Sequence, residues 1–483
     1  MRTGLWILLG FVVYVSVRVA LAHFGPGFLI DDAYITLRYV HNLVEEGSFT
    51  YHVGERIFGI STILYALLLA LVQLIVPSAD LVTIDIGVNI GLEYLCLLVL
   101  TRLFFVAGAS VLFACGLALV TLWNPLFLSA SQGGMETPLY VLWLLLAMVS
   151  VDLSMMAASV FAGMALLTRP EGSVPMAIVG LINLLRRGKF IIYVVLGMFA
   201  VAFAAFYYLG FGTLYPASVE IKHLIGSKDP LKAFVYFLKA PALLIPLGSI
   251  PWPVSLVIVL AIVVYGAVKW PRRWSRVFAL GVATLNFALY SVANPPVWYW
   301  YPAPMTTLLA IFFFWGLYSL LLRWKWAMVA IMVLVALLDV RWTYFTKGTL
   351  LDVYTHRVQA YYNVVKTLKD KHDLTPEKSI FTHEIGAIGY YSGAHIYDAV
   401  GLVNPSLAKL GLVHEVKKGV NYGLATRAFL EKTDPDYIII QKNLIAPDAS
   451  EWDAFHENYS LILEVPDTAI DRDSGDIEVY KKH

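Results

Sequence analysis

Twelve apolar runs divide the first 340 positions, at 5–22, 60–77, 82–100, 107–123, 138–153, 155–169, 173–185, 190–209, 252–268, 276–292, 304–322 and 326–340. A hydrocarbon core about 30 Å thick takes roughly 20 helical residues to cross. Within it only helices and closed barrels satisfy their own backbone. The runs therefore predict a mainly α, polytopic helical membrane protein. Composition agrees: 59% of the 483 residues are hydrophobic and 14% are charged, where a soluble chain carries roughly a quarter charged residues. A formal net charge of +1 leaves no basic footprint for nucleic acid. Cys96 and Cys115 lie inside apolar runs and read as small buried hydrophobes.

The first run ends in Ala20-Leu21-Ala22, as a signal peptide does. It is long enough to span and many spans follow, so an uncleaved first helix with a cytoplasmic N-terminus is expected. Orientation follows from basic clusters, which favour the cytoplasm. Arg186-Arg187-Gly188-Lys189, Lys269-Trp270-Pro271-Arg272-Arg273 and Arg323-Trp324-Lys325 are such clusters. Counting back from Arg186 places Thr168–Glu171 outside, 151–154 inside, Gly134–Glu136 outside and Arg102 inside. The first helix delivers Asp31 outside, so parity fails if 60–77 also crosses. We therefore expect about 11 transmembrane helices, with 60–77 a juxtamembrane helix within a first outer loop of about 24–81.

From Tyr344 onward the character changes. These 140 residues hold 35 of the 69 charged side chains and no spanning run. Helical stretches at 352–370, 422–432 and 450–458 alternate with β-rich runs at 379–382, 437–440, 461–463 and 477–480. The alternation predicts a small α/β domain, 344–483, beside a transmembrane module, 1–343. The same parity places it outside, on the face that carries Asp31.

Asp31 and Asp32 stand at the edge of the first span, where carboxylates are costly and are functional by default. The plainer reading is a helix cap before Ala33-Tyr34-Ile35. Asp31 is the expected base and Asp32 the supporting group, with a divalent metal between them an open reading. The topology gathers further polar residues on the outer face: Arg38, Arg56, Gln132, Glu136, Arg169, Glu171, Glu220, Lys222, His223, Tyr299 and Glu384. Cations neutralise a phosphate and a carboxylate takes a hydroxyl proton, so the mixture suits transfer from a phosphate-bearing lipid. Each residue has a plainer alternative. Glu136 is a solvated turn, Glu171 an ion pair with Arg169, and Lys222 with His223 a snorkelling pair. Trp298–Tyr301 is an interfacial belt, and His383 beside Glu384 is surface.

Residues 31–65 resemble the first outer loop of GT-C glycosyltransferases, membrane enzymes that use polyprenyl-phosphate sugars. They are similar in particular to the mycobacterial arabinofuranosyltransferase B type, with Asp31-Asp32-Ala33, Arg38-Tyr39 and Gly54-Glu55-Arg56. Gly134–Thr137, Leu167–Gly172, Phe211–Pro216 and Glu384–Gly393 follow in the family's order. The resemblance implies that an Asp of the first loop is catalytic and that 60–77 is a juxtamembrane helix. The chain departs from the family at Tyr215-Pro216-Ala217-Ser218, where Pro-Asn is common, and at Tyr299–Pro302, where a His or Arg is often near.

Together these readings predict a plasma (inner) membrane glycosyltransferase acting on the extracytoplasmic side. It would move a sugar, arabinofuranose first and a hexose such as mannose second, from a polyprenyl-phosphate donor to a glycan, lipid or protein acceptor. A transporter or flippase of a lipid-linked sugar is the alternative. Transporters build sites near the midplane from repeats, whereas here the charge gathers at one face.

Overall fold

The computed structural model describes residues 2–24, 27–219, 221, 230–245, 250–293, 298–346, 349–404, 427–444, 453–466 and 476–483. After α1 (Arg2–Phe24) the chain turns into α2 (Asp31–Glu46), whose first turn carries Asp31 and Asp32. Two acids there complement the exposed amides and the positive end of the helix dipole. α3 (Ile63–Ile75) has 13 residues, about 20 Å at 1.5 Å per residue, short of the hydrocarbon thickness. α4 (Leu81–Val106) is capped by Asp80, which accepts from the Thr83 amide at 3.0 Å. α5 (Val111–Leu122) and α6 (Pro125–Gln132) are bent by 68° at Asn124. The bend follows from local chemistry: Asn124 caps α6 through the Phe127 amide at 3.1 Å, and Pro125 takes the first helical turn.

α7 (Thr137–Ser150), α8 (Met155–Thr168), α9 (Ser173–Leu185) and α10 (Ile191–Phe211) follow, then α11 (Pro230–Lys239), α12 (Trp252–Lys269), α13 (Arg273–Ala293), α14 (Ala303–Leu320) and α15 (Lys325–Val340). Among the described residues six helices are long and apolar enough to cross a membrane, or seven if the bent α5–α6 pair is one span. Helices α3, α7 and α8 are apolar but shorter.

One buried polar network ties α1 to the rest. Arg18 pairs with Glu93 at 2.6 Å, and both side chains are fully enclosed. Tyr14 donates to Glu93 at 2.7 Å, and the Trp123 indole donates to Tyr14 at 3.1 Å. Ser131 also bonds Glu93, and Tyr344 bonds both Arg18 and Gln132. Without Glu93 the enclosed Arg18 would be an uncompensated interior charge, so the pair stands or falls together.

The C-terminal region opens with α16 (Leu350–Lys371) and builds a five-stranded sheet: β1 (Ser379–Thr382), β2 (His395–Asp398), β3 (Tyr437–Gln441), β4 (Tyr459–Val465) and β5 (Ile477–Lys482). α17 (Ile385–Ser392) joins β1 to β2, and α18 (Arg427–Thr433) precedes β3, while α19 (Asp453–Asn458) precedes β4. The order is β2-β1-β3-β5-β4; β2, β1 and β3 are parallel, and β5 runs antiparallel to β3 and β4. β3 is buried throughout, as a central strand must be. Four strands fall on the expected runs. β2 is the addition, four residues beginning two after Gly393, too short for its alternation to stand out in sequence.

Candidate functional site

α17 packs directly against α2, so the C-terminal domain sits on the first loop. Asp31 makes the joint. Its two carboxylate oxygens accept the Gly386 and Ala387 amides at 2.8 and 2.7 Å, the N-terminal amides of α17 that lack helical partners. A Cβ at Gly386 would fall on the Asp31 carbonyl, so no other residue fits that approach. Arg38 completes the clamp, with its guanidinium donating to Tyr51 O at 3.0 Å and to Gly389 O and Ala394 O at 2.8 Å each. Tyr51 donates to Ile385 O at 2.6 Å. Burial, followed by the neighbouring Glu384 carboxyl, pushes Asp31 up against the pull of its two amides. Burial also raises Glu384, with Arg357 opposing; the Arg357–Glu384 separation is 3.5 Å.

Asp32 faces elsewhere. It lines a cavity of about 410 Å³ together with Thr36, Gly59–Thr62, Glu136, Arg169, Glu171, Ser218, Tyr290, Trp300, Tyr301 and Leu402. Arg169 is held between two carboxylates, at 2.5 Å from Glu171 and 3.5 Å from Glu136, and donates to Trp300 O at 3.3 Å. Tyr290 of α13 donates to Glu171. Residues from α2, from the turn before α7, from the turn after α8 and from α13 thus converge on one space. Three carboxylates and one guanidinium give its wall an acidic balance, suited to sugar hydroxyls, which donate hydrogen bonds to carboxylates.

The expected site residues divide accordingly. Asp32, Glu136, Arg169 and Glu171 share the cavity, whereas Asp31, Arg38 and Glu384 lie in the joint beside it. Tyr299 is buried next to Trp300 and Tyr354. Arg56 is exposed on the first loop and does not line the cavity. Lys222, His223 and Glu220 fall outside the described residues. His383 is half-buried, not surface, and desolvation lowers it to about 3. Sequence reading missed Tyr290, Ser218 and Leu402 on the cavity wall, and Tyr51 and Arg357 beside it. Tyr290 sits within an apolar span, and nothing in their local sequence marks the others as neighbours of the cavity, so only the fold reveals them.

Both Asp31 oxygens accept amides of α17, and of the two acids only Asp32 lines the cavity, so the two carboxylates are turned to different partners. His52, Glu55 and His395 bring three ligand atoms within 4.8 Å of one another. Their bonding is that of a clasp. The Ile396 amide donates to His52 Nε2 at 2.9 Å, which leaves the proton on Nδ1, facing Glu55 at 3.0 Å. The His395 ring stacks on His52 at 4.2 Å.

Comparison with known proteins bears on the whole chain. ArnT from Cupriavidus metallidurans bound to undecaprenyl phosphate superimposes with a TM-score of 0.59 at 13% identity, over 99% of this chain and 98% of that one. Its apo state gives 0.59 at 12% identity over the same shares. The chain thus shares the fold of ArnT over nearly the whole length of both. The arabinofuranosyltransferase AftD from Mycobacteria gives 0.50 at 10% identity, over 98% of this chain and 40% of AftD. Residues 344–480 match a family described as a domain of unknown function, DUF8728. No curated protein matches the chain in sequence.

Proposed function

We propose that this protein is a glycosyltransferase that takes a sugar from a polyprenyl-phosphate donor at the extracytoplasmic face of the plasma membrane and passes it to a hydroxyl of a glycan, lipid or protein. The observation that carries this reading is the convergence of Asp32, Glu136, Arg169 and Glu171 on one cavity beneath the C-terminal domain. Its support from comparison is the GT-C fold, shared over its full length with a protein whose structure holds undecaprenyl phosphate.

In this reading Asp32 is the base and Asp31 is structural. Asp32 takes the proton of the acceptor hydroxyl as its oxygen bonds to the anomeric carbon. The bond from that carbon to the phosphate oxygen breaks, and polyprenyl phosphate leaves. A phosphate leaves readily once its charge is balanced, so no strong general acid is required. Glu136 and Glu171 hold sugar hydroxyls, and Arg169, fixed between them, sets their spacing. Arg169 is already matched by two carboxylates, so we assign the phosphate to cations outside this ring, with Lys222 and His223 the first candidates. Arabinofuranose is the first donor to test, with mannose second.

The test is turnover of labelled polyprenyl-phosphate arabinofuranose and polyprenyl-phosphate mannose by purified protein in nanodiscs, with and without alkyl glycoside acceptors. Transfer to an acceptor that is lost in Asp32→Asn supports the reading. Full activity in Asp32→Asn, or vectorial movement of the lipid without transfer, overturns it.

A further inference from the structure

The parallel part of the sheet is aimed at the cavity. In parallel sheets ligands gather beyond the carboxyl ends of the strands. The carboxyl end of β1 leads to Glu384, beside Asp31. The carboxyl end of β2 leads into residues 398–404, and Leu402 of that loop is part of the cavity wall. This loop is built, not draped. Asp398 is fully buried, and its carboxylate accepts the Val400 amide at 2.8 Å and the Val403 amide at 3.0 Å. The Asn404 side chain accepts the Asp398 amide at 2.9 Å, and Ala399 N bonds Thr382 O at 2.9 Å.

The loop is pressed onto the membrane module at Gly59. A Cβ there would meet Leu402 O at 2.8 Å and Val403 Cγ1 at 3.0 Å, closer than neighbours tolerate. The Ala217 amide bonds Phe58 O at 3.3 Å, which brings Ser218 and Val219 to the same side. The lining therefore divides into two groups by chemistry. Glu136, Arg169 and Glu171, from the turns before α7 and after α8, with Tyr290 of α13, make the charged wall. Gly59–Thr62, Ser218, Val219 and Leu402, which carry no charge, make the uncharged one.

We propose that Leu402, presented by the Asp398-organised loop against Gly59, is a specificity-determining residue that limits the size of the acceptor unit admitted opposite Asp32. This rests on the glycosyltransferase reading above. The charged wall satisfies a sugar's hydroxyls, and the donor arrives from the membrane side. The uncharged wall comes in part from the outer domain, the side from which an acceptor approaches. Leu402 is the cavity residue that the C-terminal loop contributes, and a change of a few methylenes in such a wall shifts discrimination by about tenfold or more.

The experiment compares wild type, Leu402→Ala, Leu402→Trp and Asp398→Ala, full length in nanodiscs, with a polyprenyl-phosphate sugar and two acceptors, an alkyl monoglycoside and a branched alkyl trisaccharide. Leu402→Ala is expected to raise the ratio of kcat/KM for the trisaccharide over the monoglycoside by about tenfold, and Leu402→Trp to lower it similarly. Asp398→Ala, which frees the loop, moves the ratio towards one. A merely structural role would depress both acceptors alike and leave the ratio unchanged, which overturns the inference while transfer itself stands. Should Leu402→Trp not fold, the ratio in Leu402→Ala decides. Absence of transfer by wild type overturns the glycosyltransferase reading, and this inference with it.

Discussion

Adjacent residues on a helix point about 100° apart, and that angle separates the tasks of Asp31 and Asp32. Asp31 turns to the C-terminal domain and caps α17; Asp32 turns to the cavity. The pair was legible in sequence as a costly cluster of charge, but its division was not, because the partner amides at Gly386 and Ala387 lie more than 350 positions away. Substitution separates the two. Asp32→Asn removes the proposed base without altering volume and is expected to lower kcat roughly 10²- to 10⁴-fold with thermal stability unchanged. Asp31→Asn keeps one good acceptor and loses the charge-assisted bond of the other. It is expected to lower stability by about 1 kcal/mol and to leave kcat within about tenfold of wild type. Turnover and thermal unfolding of the two purified variants check both statements, and the reverse ranking would return the base to Asp31.

Between elements, the joint of α2 and its following loop with α17 and β2 holds the C-terminal domain in place. Arg38 is the hub, because a planar fork reaches three carbonyls where an ammonium cannot. Arg38→Lys is expected to raise amide hydrogen exchange across residues 385–396 by at least tenfold while α4–α10 are unaffected. The same joint is sensitive to acid through His52. Burial lowers this imidazole to about 4, with Arg38 and His395 opposing its charge and Glu55 favouring it. A base with a depressed folded value is neutral in the folded joint. Its contribution is therefore complete above about pH 6.5 and is lost as pH falls towards 4, a span of about 3 kcal/mol. Thermal unfolding between pH 7.5 and 4.5 should show a fall that is smaller in His52→Gln, whose side chain still offers the Ile396 amide an acceptor. The long apolar helices and four of the five strands were legible because apolar periodicity and β-branched runs are local signals, whereas α6, α11 and α17 were not expected. The joint was not, since Arg38, Tyr51 and His52 meet backbone groups of a distant segment, and backbone groups leave no mark in sequence.

At the scale of the whole molecule, that joint fixes more than local geometry. Arg38 bonds Gly389 and Ala394 directly, so the first loop and the C-terminal domain lie on one face of the helices, and the chain between them crosses an even number of times. If α4, the α5–α6 pair, α7, α8, α9, α10 and α12–α15 each cross once, the crossings number ten, and α3 cannot add an eleventh. Length does not set α3 apart, since α9 also has 13 residues; parity does. The basic clusters at 186–189 and 269–273 predict which face is which, since Lys and Arg favour the cytoplasmic side. Single cysteines at Asp80, Lys189, Arg272 and His483, in a chain with Cys96 and Cys115 replaced by Ala, test this in intact cells with a membrane-impermeant maleimide. Labelling at positions 80 and 483 with protection at 189 and 272 is the expected pattern. Protection at 80 alone would mean that α3 crosses and that one of the other ten does not. Labelling at 189 and 272 with protection at 80 and 483 would turn the molecule over and move the cavity, with its proposed donor and acceptor, to the cytoplasmic leaflet.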